Sequence, residues 1–508
     1  MIERKFRAIG LALLVLFSSL AIGLMIHKEH GLCMGVSVIT PDFLHGYSED
    51  YNMDIGVISL NGQKVAYDYY SSTIYISQPK TSLSKYYKLS GTLRSDNSEY
   101  ELYFIDNKAL NHINSAVKQS FPLTLVMLNE KSFMQVKVII TTLPVMSLQS
   151  DIFYDDYGNA YTLDEEGTLC LWSGYDKGVG GYTTKTVRSA WRIRGNTTSV
   201  QPKTPWKLTL KNDKGENSDM EFLGLGSDDD WILNCLTMDD TRIKEKLFMD
   251  MWNEMAADTD YNFKMSTGEY VELIKDNEYL GLFLLQRRLD AKYLGLDDND
   301  ALVKSTDYTA NTVEEAYEFV TESENTEEIY EMLENSLYGI GDSNYNLYNV
   351  IDTNLTLQLT AARDNFSKKN MYHVLKYTDG KYENFLVPWD TDQSMGVVFN
   401  DGFKYEFSTA LAGTLRSKRM ETDSIIKTYP NYYELASNRL KELRSGVYSN
   451  DNIQSVIDSI NTQITESGAL ERDTELWGNR YYGEDTVENL KAFMYARGKM
   501  LDNYYSNY

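Results

Sequence analysis

Two β-prone runs, Met371 to Tyr377 and Lys381 to Val387, are separated by the dipeptide Asp379-Gly380. That dipeptide is favoured where both central turn residues need positive φ, so the segment reads as an antiparallel hairpin with a fixed register. If Asp379-Gly380 is the turn, Thr378 faces Lys381, and continuing down the ladder sets Asn370 opposite Trp389. Asp364, Asn370, Asp390 and Asp392 then emerge together at one end of the hairpin. Oxygen ligands clustered in this way suit a hard divalent cation such as Mg²⁺. The same residues also suit turns and helix caps. Two carboxylates about 4 Å apart repel by about 4 kcal/mol at an effective dielectric near 20, so convergence would require a cation or a shared proton.

The 508-residue chain carries 49 Lys+Arg against 74 Asp+Glu, a net charge of −25. A broad basic face for nucleic acid is therefore excluded, and local basic clusters gain meaning. The length suggests two to four domains. Residues Ala8 to Ile26 carry no charge, follow Arg4, Lys5 and Arg7, and would nearly span a bilayer as a helix. The expectation is a single-pass signal anchor within 1–34, with the N-terminus cytoplasmic and the bulk extracytoplasmic. Ser19 and Ala21 offer a cleavage point for secretion instead, but the apolar run continues beyond them. Cys33, Cys170 and Cys235 match no disulfide framework or zinc spacing and read as buried thiols.

Residues 35–142 alternate short β-like runs with Asn-Gly and Ser/Asp-rich turns, which predicts a small β-sandwich with the role of a spacer or binding module. The Asp155 to Asn159 segment lacks the spacing of a calcium loop and reads as a turn. Farther on, Val187 to Arg194 and Trp206 to Lys211 form two strands. Alternation places Trp191, Ile193, Trp206, Leu208 and Leu210 on one face and Arg192, Arg194, Lys207 and Lys211 on the other. A basic face beside the small-residue loop 195–199 suits a polyphosphate, and equally suits the solvated side of an edge hairpin. The glycines of 224–226 lack a phosphate-loop context and predict a turn.

A helix is expected from about Asp240, as N-cap, to Ala257, burying Ile243, Leu247, Met251 and Met255. Lys244 borders that stripe, where it would meet a carboxylate or phosphate, whereas Lys246 points away. A hairpin turning at Asp276-Asn277 brings in an apolar, central strand from Tyr279 to Leu285. After Arg288 the pattern reads mainly helical. An acidic insertion at 314–334 is followed by C-terminal helices at 432–443, 453–464 and 487–504.

Four ordered segments resemble the CotH family of spore-coat protein kinases. They are Arg194-Gly195-Asn196-Thr197 with Pro205-Trp206-Lys207-Leu208; Asp239 through Leu247; Glu278 through Leu285; and Asp364 through Asn370 with Pro388-Trp389-Asp390-Thr391-Asp392. The resemblance covers about Leu143 to the C-terminus. It implies an α+β, atypical kinase-like bilobal fold over 143–508, with a β-rich N-lobe (143–288) and a helical C-lobe (289–508). It also implies transfer of the ATP γ-phosphoryl group to Ser or Thr of a protein substrate, a spore-coat or cell-surface protein, with Mg²⁺. Asp364 would orient or deprotonate the hydroxyl, and Asp390 would hold the metal, with Asn370 and Asp392 added from the hairpin register. Arg194, Lys207, Lys244 and Glu245 would contact phosphate, and Gln286, within the Leu284 to Arg287 hinge, the base. Arg287 departs from the acidic residue often found there in the family, and Lys244 from its usual Arg. The rival readings are a non-catalytic surface or coat module and a metal-dependent phosphoester or glycoside hydrolase.

Overall fold

The computed structural model describes residues 32–508 apart from 79, 81–88, 90, 152–164, 174–182, 196–197, 307–311, 322–325, 339–343, 367–368, 399–401, 409–427 and 481–482. Among the described residues, no helix is long and apolar enough to cross a membrane. The segment 8–26 lies outside them, as does the turn expected at 155–159. The described N-terminal region is built of strands, so the membrane anchor, the single-pass topology and the extracytoplasmic placement are not carried forward.

From Leu32 to Thr141 eight strands form one mixed sheet. Val36–Ile39 runs parallel to Glu101–Ile105, and Ser132–Thr141 parallel to Thr73–Ser77. These parallel pairs make the sheet mixed rather than purely antiparallel. On one face, Ile74, Val136 and Val138 pack against Ile58, Leu60 and Leu93 of a three-stranded sheet and Ile113 and Val117 of a short helix. On the other, Tyr75 and Ile139 meet Trp172, Ile274 and Tyr279, with the Tyr75 and Tyr279 rings stacked at 4.5 Å. Strand alternation explains this two-sided use: neighbouring residues Ile74 and Tyr75 serve opposite cores.

The chain then closes seven strands into a barrel: β1 (Val145–Ser150), β2 (Glu165–Ser173), β3 (Thr183–Ile193), β4 (Trp206–Lys211), β5 (Asp230–Asn234), β6 (Gly268–Lys275) and β7 (Glu278–Arg287). Closure comes from a parallel pairing of β1 with β6, Val145 opposite Glu272. Inward residues Leu169, Trp191, Leu208, Trp231, Leu233 and Phe283 fill the interior, and closure leaves no strand edge exposed. Strand β7 lies between β5 and β6, as its apolar run predicts. The β6–β7 turn has Asp276 and Asn277 at φ 50° and 62°.

Helix α1 (Lys244–Ala257) starts four residues later than expected. The carboxylate of Asp239, not Asp240, accepts from the Thr241 and Lys244 amides at 2.9 and 2.7 Å, and Arg242 at φ 60° holds the intervening residues out of the helix. Ile243, Leu247, Met251 and Met255 are all buried. The C-terminal half contains more sheet than its sequence suggests. Strands β8 (Ala301–Ser305), β9 (Tyr317–Phe319), β10 (Met371–Thr378) and β11 (Lys381–Pro388) form a sheet in the order β9-β8-β10-β11. The acidic insertion thus supplies a strand as well as helix α2 (Thr326–Tyr338). Helix α3 (Leu347–Thr360) packs on β11; α4 (Tyr432–Ser445) and α7 (Val487–Tyr505) pack on α3, α5 (Asn450–Glu466) on α7, and α6 (Ala469–Trp477) on β7 of the barrel. Cys33 and Cys235 are buried and Cys170 is partly exposed; none is bonded to another.

Candidate active site

The β10–β11 hairpin turns at Asp379 and Gly380, φ 54° and 83°, with Thr378 opposite Lys381 and Met371 opposite Pro388. One step further, the Trp389 amide donates to the Asn370 carbonyl at 3.2 Å. Asn370 and Asp390, just beyond the two strand ends, both adopt left-handed φ, 56° and 53°. Asn365 ties the preceding loop to this mouth: its Nδ2 donates at 2.9 Å to the carbonyls of both Asn370 and Trp389. The Asn370 amide in turn donates to the Asp390 carbonyl at 3.2 Å. Asp364, beginning a short 3₁₀ turn, accepts from Gln393 Nε2 at 3.2 Å. From the other lobe, Glu245 in the first turn of α1 accepts from the amide and hydroxyl of Thr391 at 2.9 and 2.8 Å.

Four carboxylates are therefore gathered at one hairpin mouth, and their proton affinities show the crowding. Burial and then the charge of Asp390 push Glu245 up to about 7. Asp392 is raised well above the usual carboxylate range by burial, then by Asp390, Glu245 and Asp364. Asp364 is also raised, by burial and by Asp390, with Lys369 and Arg363 opposing only in part. Desolvation and like charge each disfavour the ionised form, and both act here. These carboxylates share a neighbourhood short of positive charge, whereas among the described residues only Asp219, Asp228 and Asp229 bring three acidic oxygens within 4.8 Å of one another.

Beside this mouth opens a cleft between barrel and C-terminal sheet, about 880 Å³ with its open mouth included. Arg194, Lys207, Glu245, Gln286 and Asp390 all line it. Lys207 lies 3.0 Å from Asp230, which also takes Arg288 at 2.7 Å. The Arg194 guanidinium stands 5.9 Å from the centre of the Trp389 ring. Gln286 is buried in β7, between Ile232 and Gly268, and adjoins Met249 on α1. A family model described as CotH kinase protein matches residues 191–501, more than half of the chain. The chain belongs to the CotH family. No curated protein matches it closely enough to stand as a relative. The CotH match starts within β3 and ends within α7, so it contains the cleft and the hairpin and leaves out the N-terminal sheet.

One residue expected in the CotH cleft lies elsewhere. Lys244 is completely buried, with Nζ 2.7 Å from Asp239 and 2.5 Å from Asp485, so no phosphate reaches it. Successive helical residues project about 100° apart. Lys244 consequently faces the C-terminal segment while Glu245 faces the cleft. Sequence reasoning missed Asn365, Thr391 and Lys304. Asn365 and Thr391 adjoin singled-out aspartates, but nothing in their type marks a tie across the fold. Lys304 did carry a signal, a lone cation in the apolar run Ala301-Leu302-Val303. It lines the cleft, with Nζ 4.0 Å from the centre of the Trp389 ring.

Proposed function

We propose that this CotH protein is a Mg²⁺- and ATP-dependent protein kinase acting on Ser or Thr hydroxyls. The observation that supports this most is the gathering of Asp364, Asn370, Asp390, Asp392 and Glu245 at one hairpin mouth, of which Asp390 and Glu245 line a cleft with a cationic wall. Asp390, with Asp392 and Asn370 beside it, would hold magnesium, which when bound neutralises phosphate charge. Asp364 sits off the metal-holding strand end and receives the substrate hydroxyl. Burial and the charge of Asp390 raise its proton affinity, which makes it a better proton acceptor than an ordinary carboxylate. Arg194 reaches the phosphates from the barrel, and Lys207, shared with Asp230, lends charge nearby. Gln286 and the apolar residues Ile232, Met249 and Leu289 along the cleft would accept the base.

Purified protein incubated with γ-labelled ATP, Mg²⁺ and a generic protein substrate tests the reading. Label should enter protein and be abolished by Asp364→Ala and by Asp390→Ala. No incorporation, together with no nucleotide-induced thermal shift, overturns it. A thermal shift without incorporation would show a nucleotide-binding module that does not transfer phosphate.

A further inference from the structure

The cleft holds six cationic side chains: Arg192, Arg194, Lys207, Arg287, Arg288 and Lys304. Three are already committed. Lys207 and Arg288 share Asp230, and Arg287 bonds Asp228, its Nε at 3.2 Å. Arg192 is exposed at the rim. Lys304 and Arg194 remain. Among the described residues Arg194 has no ion pair, and Lys304 approaches Glu318 only at 3.9 Å, the loose limit of an ion pair. Both heads lie over the same indole, Trp389, at 4.0 and 5.9 Å, and the next residue is Asp390. The Lys304 side chain is only 21% exposed, and burial lowers its proton affinity. A partly desolvated ammonium held by a ring face and no close carboxylate is completed by an anion. A divalent-cation donor set beside it makes that anion a polyphosphate.

We propose that Lys304, together with Arg194, binds the terminal phosphates of the nucleotide, so that the phosphate-binding lysine of this cleft comes from β8 of the C-terminal sheet. The proposal deepens the kinase reading and rests on its site. Titration calorimetry of the full chain with inorganic tripolyphosphate and Mg²⁺ tests it without requiring catalysis. Lys304→Met should weaken binding by at least about tenfold, the worth of one charge-assisted contact. Lys304→Arg should restore it to within a few fold, which also shows that position 304 tolerates change. Lys381→Met, exposed at the turn end of the hairpin, should leave it unchanged. With ATP, Lys304→Met should raise KM more than it lowers kcat. Unaltered tripolyphosphate affinity in Lys304→Met, or no binding by the unmodified protein, overturns the proposal. Phosphate transfer indifferent to Lys304 would remove this inference and leave the kinase; Lys304-dependent tripolyphosphate binding without transfer would do the reverse.

Discussion

Adjacent residues, Lys244 and Glu245, open onto two different ways of burying charge. Behind α1, cations and anions are matched. Lys244 meets Asp239 and Asp485, and Asp473 on α6 accepts from Lys203 at 2.6 Å and Arg242 at 2.9 Å, with the Leu282 amide also at 2.9 Å. In front of α1, Glu245 lies with Asp390, Asp392 and Asp364; Glu245 accepts from Thr391 and Asp364 from Gln393, and Lys369 and Arg363 offset only part of the charge crowding at Asp364. Matched burial fastens the C-terminal segment to the barrel. Unmatched burial stores repulsion that folding alone does not reward, which is the mark of a site built for a ligand.

Removing a carboxylate should therefore act oppositely on the two sides. On the cleft side, Asp364→Asn should lower phosphate transfer by about 10³-fold or more while the melting temperature holds or rises, because one of several repelling charges is gone. Assay and thermal melt on the same preparation decide it. A fall in both together would place Asp364 among the structural charges and break the contrast.

On the matched side, Lys244→Met should cost about 3–5 kcal/mol of stability, because Asp239 and Asp485 are then buried without their cation. Urea unfolding measures this directly. A loss below about 1 kcal/mol would mean that water reaches the site and that the ion pairs there are not the fastening.

The two sides were unequally legible in the sequence. The hairpin mouth could be read because Asp379-Gly380 fixes a local register, and register alone carries Asn370 to Trp389. The matched network could not be, because Lys244 is joined to Asp485, 241 positions away, and a helical wheel tells which way a lysine points without telling what waits there. The barrel failed for the same reason. Alternation identified β3 and β4, and an apolar hairpin identified β6 and β7, but closure depends on Val145 pairing in parallel with Glu272, a contact with no local signature. Strand β9 was hidden in an acidic stretch whose composition reads as solvated helix, and only its pairing with β8 makes it a strand.

Glu245→Gln tests the unmatched side through pH. The carboxyl is about 7 in the folded chain and near 4.3 when unfolded, so the native state binds the extra proton. Stability attached to this group is complete below the unfolded value and is lost as pH rises through 7. With a chelator present, Glu245→Gln should match the unmodified protein near pH 4 and exceed it by about 3 kcal/mol near pH 8. Equal stability at both pH values would show that Glu245 already has a buried cation.

The smallest effect belongs to Lys246, two residues along the same helix. Its Nζ lies 3.2 Å from Asp250, one turn on, and 3.1 Å from the Gly268 carbonyl, with the Asp250 side chain well exposed. The Lys246 side chain is only 12% exposed, but water reaches the Asp250 end of the pair, so Lys246→Gln should cost about 0.5–1 kcal/mol, shrinking in high salt. Helix propensity differs little between the two residues, which leaves the ion pair as the variable. Urea unfolding of this variant beside Lys244→Met isolates burial from charge, since both remove one lysine from one helix. A cost for Lys246→Gln as large as that for Lys244→Met would show that removing any positive charge from this acidic chain is what matters, and that the matched network behind α1 has no special hold.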